Sequence, residues 1–463
     1  MELDAYAPAW RIAAAVAAGE ASAREITLAA LERMAALDPH INAFTDVTAA
    51  RALADADRVD ADRAAGRPLG PLAGVPYAVK NLFDIAGLPT RAGSRINREL
   101  PPAAADGALP QRLSAAGAVL LGGLNMGEYA YDFTGENAHD GACRNPHDTT
   151  RMAGGSSSGS GAATAAGFVA LALGSDTNGS IRVPSSFCGV FGLKPTYGRL
   201  TRHGSFPFCD SLDHLGPFAR SVPDLAIAYD AMQGPDPRDR ACAARPVSPA
   251  LPGLEDGIAG LRIAVAGGWF ATDGMPEAAA AVAAAAAALG AEREVEIPEA
   301  EAGRAAAFII TNVESARLHM ANLRTRSGDF DPDTRDRFLA GALLPAAWYA
   351  RAQQVRRWYH DAVMRLFREV DVLIAPATPF PAPRVGQKTV AIRGAEVLLR
   401  PNIGLFTQPV SAIGLPVCAV PVTGGALPIG VQVIAAPWRE DLCLRAAREL
   451  EACGVAGFTR PLL

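Results

Sequence analysis

Three segments of this chain carry side chains that could share one piece of chemistry: the run ending at Lys80, the Gly/Ser run 151–161 and the run around Ser180. Among 463 residues there are 43 basic ones, yet Lys stands only at Lys80, Lys194 and Lys388, and the rest are Arg. Arg cannot release its proton in a protein and Lys can, so a lysine in so Arg-rich a chain is a candidate base. Lys80 ends the apolar run AGVPYAVK, with polar residues just after it. Burial penalises an ammonium, so a buried Lys80 would be a neutral amine. The other reading is a lysine whose stem packs while its head reaches water. Lys194, before Pro195, is expected to pair with a carboxylate, and Lys388 to lie exposed in a polar loop.

The serines sit in two glycine-rich runs. RMAGGSSSGSG (151–161) lacks the Lys of a phosphate-binding loop, and a dinucleotide GxGxxG beginning at Gly159 fails at Thr164. A flexible linker and a nucleophile elbow remain, the latter because Gly155–Gly159 matches GxSxG around Ser157. An elbow needs a strand before it, and HDTTRMAG reads as a polar loop. It also needs a His, and His203, His214, His319 and His360 occupy undistinguished settings. The second run, GSDTNGSIRVP (174–184), follows the apolar FVALALG. Backbone N–H groups of Thr177, Asn178, Gly179 and Ser180 at a strand end suit a developing oxyanion, and the Ser180 hydroxyl could attack the carbonyl. A plain helix cap by Ser180 or Asn178 accounts for the residues equally well.

These residues need rigid elements to hold them. VPYAV (75–79), AVLLG (118–122) and FVALALG (168–174) are short apolar runs separated by helical patterns such as 109–116, which predicts α/β layering around a buried sheet. The first 65 residues read as helices, with Ser22 and Glu25 forming a capping box. Residues 234–257 form a loop or seam. LRIAVAG (261–267) is a strand followed by an alanine helix, and two long helical patterns cover 302–320 and 334–370. VDVLIAP (370–376) and VQVIAAP (431–437) are strands, 380–403 a loop or hairpin, and 440–452 a closing helix. One large domain over 1–463 is expected, with a helical excursion at about 299–370.

Composition narrows the function classes. A 50% hydrophobic chain with net charge −5 suits a large soluble core, and no basic arm suggests nucleic-acid binding. Seven scattered Cys show neither a CxxC pair nor zinc spacing, so they are expected to be reduced and mostly buried, as in the cytoplasm. No signal-peptide pattern opens the chain, and the longest apolar stretches, 161–174 and 278–290, are too short to span a bilayer.

Taken together, AVKN around Lys80, GGSSSGS around Ser156 and DTNGSIRVPSSFCG around Ser180 resemble the amidase signature family. The resemblance is strongest over about 66–221 and weaker in VDVLIAPATPFPAP and the tail. It implies a large mixed, twisted sheet covered by helices on both faces, and no cofactor or metal. It also implies a Ser-Ser-Lys triad: Ser180 as the nucleophile that becomes acylated, Ser156 relaying a proton, Lys80 as base, and a cis peptide between Gly155 and Ser156. Thr177, Asn178, Gly179 and Ser180 would form the oxyanion hole, with Asp176 and Arg182 bracing the loop. Where the family usually has Gly-Gly before the nucleophile, this chain has Asn178-Gly179. Asn178 would narrow the pocket, contact substrate, or occupy a left-handed backbone position. Segments 125–148 and 202–218 resemble a branch that hydrolyses a small carboxylated urea-type amide and releases ammonia. That branch implies a very small partner subunit in a heterotetramer and a homodimer of this chain. A carboxylate substrate would want an Arg, for which Arg317 is the candidate, with Arg356 and Arg357 less favoured. The alternative is the glutaminase subunit of a tRNA-dependent amidotransferase, which shares the same three residues.

Overall fold

The computed structural model describes residues 3–272 and 274–463. Its strands in chain order are β1 (Phe44–Val47), β2 (Pro76–Lys80), β3 (Val119–Leu124), β4 (Arg144–Asn145), β5 (Asp148–Met152), β6 (Leu171–Asp176), β7 (Phe191–Lys194) and β8 (His214–Ala219). There follow β9 (Ile263–Gly267), β10 (Arg293–Glu296), β11 (Val372–Pro376), β12 (Thr389–Ile392), β13 (Ala395–Leu398), β14 (Val417–Val422) and β15 (Ile429–Ala435). Eleven of them form one sheet in the order β1-β3-β2-β6-β8-β7-β14-β15-β11-β9-β10. Pairing is parallel across β3-β2-β6 and across β11-β9-β10, and antiparallel between β6 and β11. The central strands are buried on both faces, which is why they read as continuous apolar runs.

Successive residues on a strand point to opposite faces. Tyr77 and Val79 of β2 and Leu171 and Leu173 of β6 enter one apolar cluster, which also receives the helices Val222–Met232 and Glu440–Ala452. Ala78 and Ala172 enter another, shared with the helices Ala23–Ile41 and Ser158–Ala165. The expected mixed sheet with helices on both faces is therefore present. The alanine helix Pro276–Ala288 packs against β11 and β15, where its small side chains permit close approach. Among the described residues no helix is long and apolar enough to cross a membrane.

Several local expectations need correction. FTDV, inside the supposedly all-helical start, is strand β1, which pairs antiparallel with β3; four residues are too few to show a strand period against neighbouring helices. The polar DTTRM segment is strand β5, paired with β4 in a small exposed ladder whose outward faces need no apolar residues. The pattern over 334–370 is two helices, Pro332–Ala342 and Ala346–Leu366, because Pro345 cannot continue a helix and stands as the N-cap of the second. Residues 380–403 contain the β12–β13 hairpin. The capping box is as expected: the Ser22 hydroxyl accepts from the Glu25 N–H at 3.0 Å, and Glu25 Oε2 accepts from the Ser22 N–H at 3.0 Å. Replacing Ser22 by Ala should lower stability by about 1 kcal/mol, read as a shift in the denaturant midpoint with the slope unchanged.

Candidate active site

Lys80 is the last residue of β2, at the C-terminal end of a parallel pair with β6, and its side chain is fully buried. Its Nζ lies 2.7 Å from Ser156 Oγ, 3.0 Å from Ser157 Oγ and 2.9 Å from Ser175 Oγ. Burial pushes the amine down to about 7, against a smaller opposing pull from Asp176, Asp213 and Asp132. The reading of a lysine that reaches water is therefore overturned. The three hydroxyls have unequal freedom. Ser157 gives its proton to the Ser175 carbonyl at 3.1 Å, whereas the Ser156 hydroxyl has no partner but Lys80 among the described residues. The peptide between Gly155 and Ser156 is cis.

The second run turns between the end of β6 at Asp176 and the helix Arg182–Cys188. Neither Ser180 nor Asn178 caps that helix. The Asp176 carboxylate does so instead, accepting from the N–H of Ile181 at 3.1 Å. The N–H groups of Asn178, Gly179 and Ser180 have no acceptor among the described residues, so the turn presents consecutive free donors. Its left-handed residue is Gly179, with φ 143°, and not Asn178. A Cβ at Gly179 would also stand 2.2 Å from Thr407 Oγ1, so only glycine fits.

A buried ion pair holds this turn. Arg182 donates to Asp176 through Nε at 3.0 Å and Nη2 at 2.8 Å, and both side chains are inaccessible to solvent. Arg182 Nη1 continues to the Thr407 carbonyl at 3.0 Å and Gln432 Oε1 at 2.7 Å. Burial alone would raise the Asp176 carboxyl, but the Arg182 charge and hydrogen bonds hold it well below the usual carboxylate range. From the other side, Thr177 Oγ1 donates to Asp213 at 2.6 Å, and Asp213 accepts from the N–H groups of Phe208 and Cys209.

Ser180, Thr177 and Asn178 line a cavity of about 20 Å³ with Tyr131, Asp132, Phe133, Phe208, Phe308, Thr311, Arg337 and Gln408. Arg337 is the basic residue of this wall. Its guanidinium carbon lies 3.5 Å from the centre of the Tyr131 ring, and Nη1 donates to the Tyr131 carbonyl at 2.7 Å. It has no carboxylate partner among the described residues. Larger hollows lie elsewhere, such as a 610 Å³ groove lined by Ile12, Ile26, Arg33 and Phe168, but none of the three candidate catalytic residues borders it.

The other sequence candidates lie apart from this cavity. Arg317 is on the surface with 69% of its side chain exposed, 3.3 Å from Asp210. Arg356 donates to the carbonyls of Ala412 and Ser211, and Arg357 is exposed. Lys194 is buried rather than paired with a carboxylate; it donates to the carbonyls of Pro195 (3.2 Å) and Leu415, and burial pushes it down to about 7 as well. Lys388 is exposed as expected. Ser157 does lie between a strand and a helix, but its partners are Lys80 and Ser175 rather than a His. His214, the buried His of this region, spends Nδ1 on the carbonyls of Asp176 and Leu212. Of the seven Cys, Cys453 is exposed, Cys242 intermediate and the others buried. Sequence reasoning missed Ser175, Asp213, Thr311, Thr407 and Arg337. Ser175 was within reach of it, one residue before Asp176; Arg337 carried no signal among so many arginines.

This chain belongs to the amidase signature family: the description Amidase matches residues 25–444. Over 444 residues it is 59% identical to AtzE, a subunit of the 1-carboxybiuret hydrolase of Pseudomonas sp. (strain ADP), spanning 95% of this chain and 97% of that one. It is 39% identical to a subunit of the glutamyl-tRNA(Gln) amidotransferase of Synechococcus sp. (strain WH7803), over 96% of this chain and 97% of that one. Among solved structures, one described as an unexpected vestigial protein complex that reveals the evolutionary origins of an s-triazine catabolic enzyme superimposes with a TM-score of 0.97. It shares 58% identity, over 98% of this chain and 100% of its own.

Asp176→Ala should leave Arg182 as an uncompensated buried charge and cost about 3–5 kcal/mol, measured by chemical denaturation.

Proposed function

We propose that the protein is a serine amidohydrolase in which Ser180 is the nucleophile, Ser156 the proton relay and Lys80 the base. The observation that carries this reading is the 2.7 Å contact between the buried Lys80 amine and Ser156 Oγ. A neutral amine has a lone pair to accept the Ser156 proton, and Ser156 can then take the proton of Ser180 as its oxygen attacks the amide carbon. The tetrahedral oxygen is received by the N–H donors of the 177–180 turn. Collapse breaks the C–N bond, the relay returns a proton to the leaving nitrogen, and ammonia departs from an acyl-enzyme on Ser180. Water repeats the cycle and frees the acid. Asp176, Arg182 and Gly155 act by holding backbone rather than by touching substrate.

The substrate is a small linear amide or urea-type compound with a carboxylate, 1-carboxybiuret or a related ureide. The cavity at Ser180 is narrow, and Arg337, which bonds the Tyr131 carbonyl but has no carboxylate partner among the described residues, stands on its wall. Arg337 thus takes the role that Arg317 cannot fill from the surface. The 59% identity to part of a 1-carboxybiuret hydrolase favours this substrate class over glutamine, for which the corresponding identity is 39%. That relative is a subunit of its enzyme, which supports a partner for this chain; we propose a very small accessory protein in a heterotetramer, with this chain as one domain in the cytoplasm.

Lys80→Ala should lower kcat for ammonia release by roughly 10²–10⁴-fold while circular dichroism stays unchanged; retained activity removes the mechanism. The base must be unprotonated, so kcat/KM should rise as pH increases through about 7, and the limb should disappear in Lys80→Ala. Arg337→Met should raise KM for carboxylated amides about tenfold or more while sparing uncharged ones. Equal effects on both classes would exclude a carboxylate contact.

A further inference from the structure

We infer that the Asn178 carboxamide selects substrates that carry an N–H beside the attacked carbonyl, favouring ureides over carbon-linked amides of the same length. This deepens, and rests on, the serine amidohydrolase reading.

Asn178 stands two residues before Ser180 and lines the same cavity. Its position is clamped from two directions. Nδ2 donates to Thr311 Oγ1 at 2.9 Å, on the helix Ala300–Thr325, and the Asn178 backbone carbonyl accepts from Thr407 Oγ1 at 2.7 Å. Oδ1 is buried and has no hydrogen-bond partner among the described residues. A buried acceptor without a donor costs free energy, which a bound N–H would recover.

The other side-chain carbonyl and carboxylate acceptors on this wall are already engaged. Asp132 accepts from Thr134, Gly135 and Arg400, and Gln408 Oε1 accepts from Arg304. Asn178 Oδ1 is therefore the carboxamide or carboxylate oxygen left to meet a substrate donor. Its short side chain reaches only groups near the reacting centre. In a ureide the atom next to the attacked carbonyl is N–H; in an alkyl amide it is CH₂, which leaves Oδ1 unsatisfied. A pocket built to hydrogen-bond a group discriminates against the analogue lacking it more strongly than an apolar pocket rejects an added methylene. Asn178 is thus a specificity-determining residue, and Thr311 positions it.

N-carbamoylglycine and succinamate test the idea, since they share length, carboxylate and leaving ammonia and differ by NH against CH₂ beside the carbonyl. Their kcat/KM ratio is measured for the wild type, Asn178→Gly and Thr311→Val. The intrinsic reactivities of the two compounds cancel when variant and wild type are compared. Asn178→Gly keeps the backbone N–H and should reduce the preference for N-carbamoylglycine about tenfold, with Thr311→Val shifting it in the same direction. A ratio unchanged in Asn178→Gly, with both substrates slowed equally, would show a purely structural role and overturn the inference. Labelling of Ser180 by a serine-reactive phosphonate separates the two levels. A labelled variant with an altered ratio supports the inference, whereas a wild type not labelled at Ser180 removes the mechanism on which it depends.

Discussion

An amine can serve as a base near neutral pH only if something suppresses its charge, and removal from water does this to Lys80, the residue proposed as the base. The end of β2 carries the side chain into a region with no solvent access, where the ammonium loses its hydration while three serine hydroxyls keep the nitrogen hydrogen-bonded. Much of the surrounding structure can be understood as the means of keeping that position dry. β2 lies between β3 and β6, apolar clusters cover both faces of the sheet, and the Gly/Ser run that supplies Ser156 and Ser157 continues directly into the packed helix Ser158–Ala165.

The same burial creates a demand that the Asp176–Arg182 pair answers. The turn after β6 leaves the N–H groups of Asn178, Gly179 and Ser180 without acceptors among the described residues. Asp176 caps the following helix and binds Arg182 through two hydrogen bonds, and Arg182 reaches across to Thr407 and Gln432. Residues more than two hundred positions apart are thereby tied to one turn. The cost of burying both charges is tolerable because each finds several partners of good geometry. Asp213 performs a similar task for Thr177 and the 208–209 loop.

Much of the central architecture was legible because a strand buried on both faces must be continuously apolar, and VPYAV, AVLLG and VDVLIAP are. What escaped notice was short or polar: β1 is an edge strand of four residues, and β5 lies in an exposed ladder whose side chains need not be apolar. In the site, Lys80 and Ser180 stood out because each sits in a distinctive local run, whereas Ser156 was set apart from its serine neighbours only by the family resemblance. Arg317 and Arg337 did not differ in that way. Both lie on helices among many other arginines, and only the packing of those helices turns one toward Ser180 and the other toward solvent.

The candidate chemistry was therefore legible locally, whereas the surroundings of those side chains were set at a distance. Residue type and spacing marked out where candidate side chains lie: a rare lysine ending an apolar strand, and serines in two glycine-rich runs. Tertiary structure decided how far burial lowers the proton affinity of Lys80, the hydroxyls it meets, and the groups from distant segments that line the cavity at Ser180. The reason is physical. Proton affinity depends on desolvation and on charges gathered from across the fold, and a substrate pocket is bounded by whichever elements pack beside it. Neither quantity is a property of any short stretch of sequence.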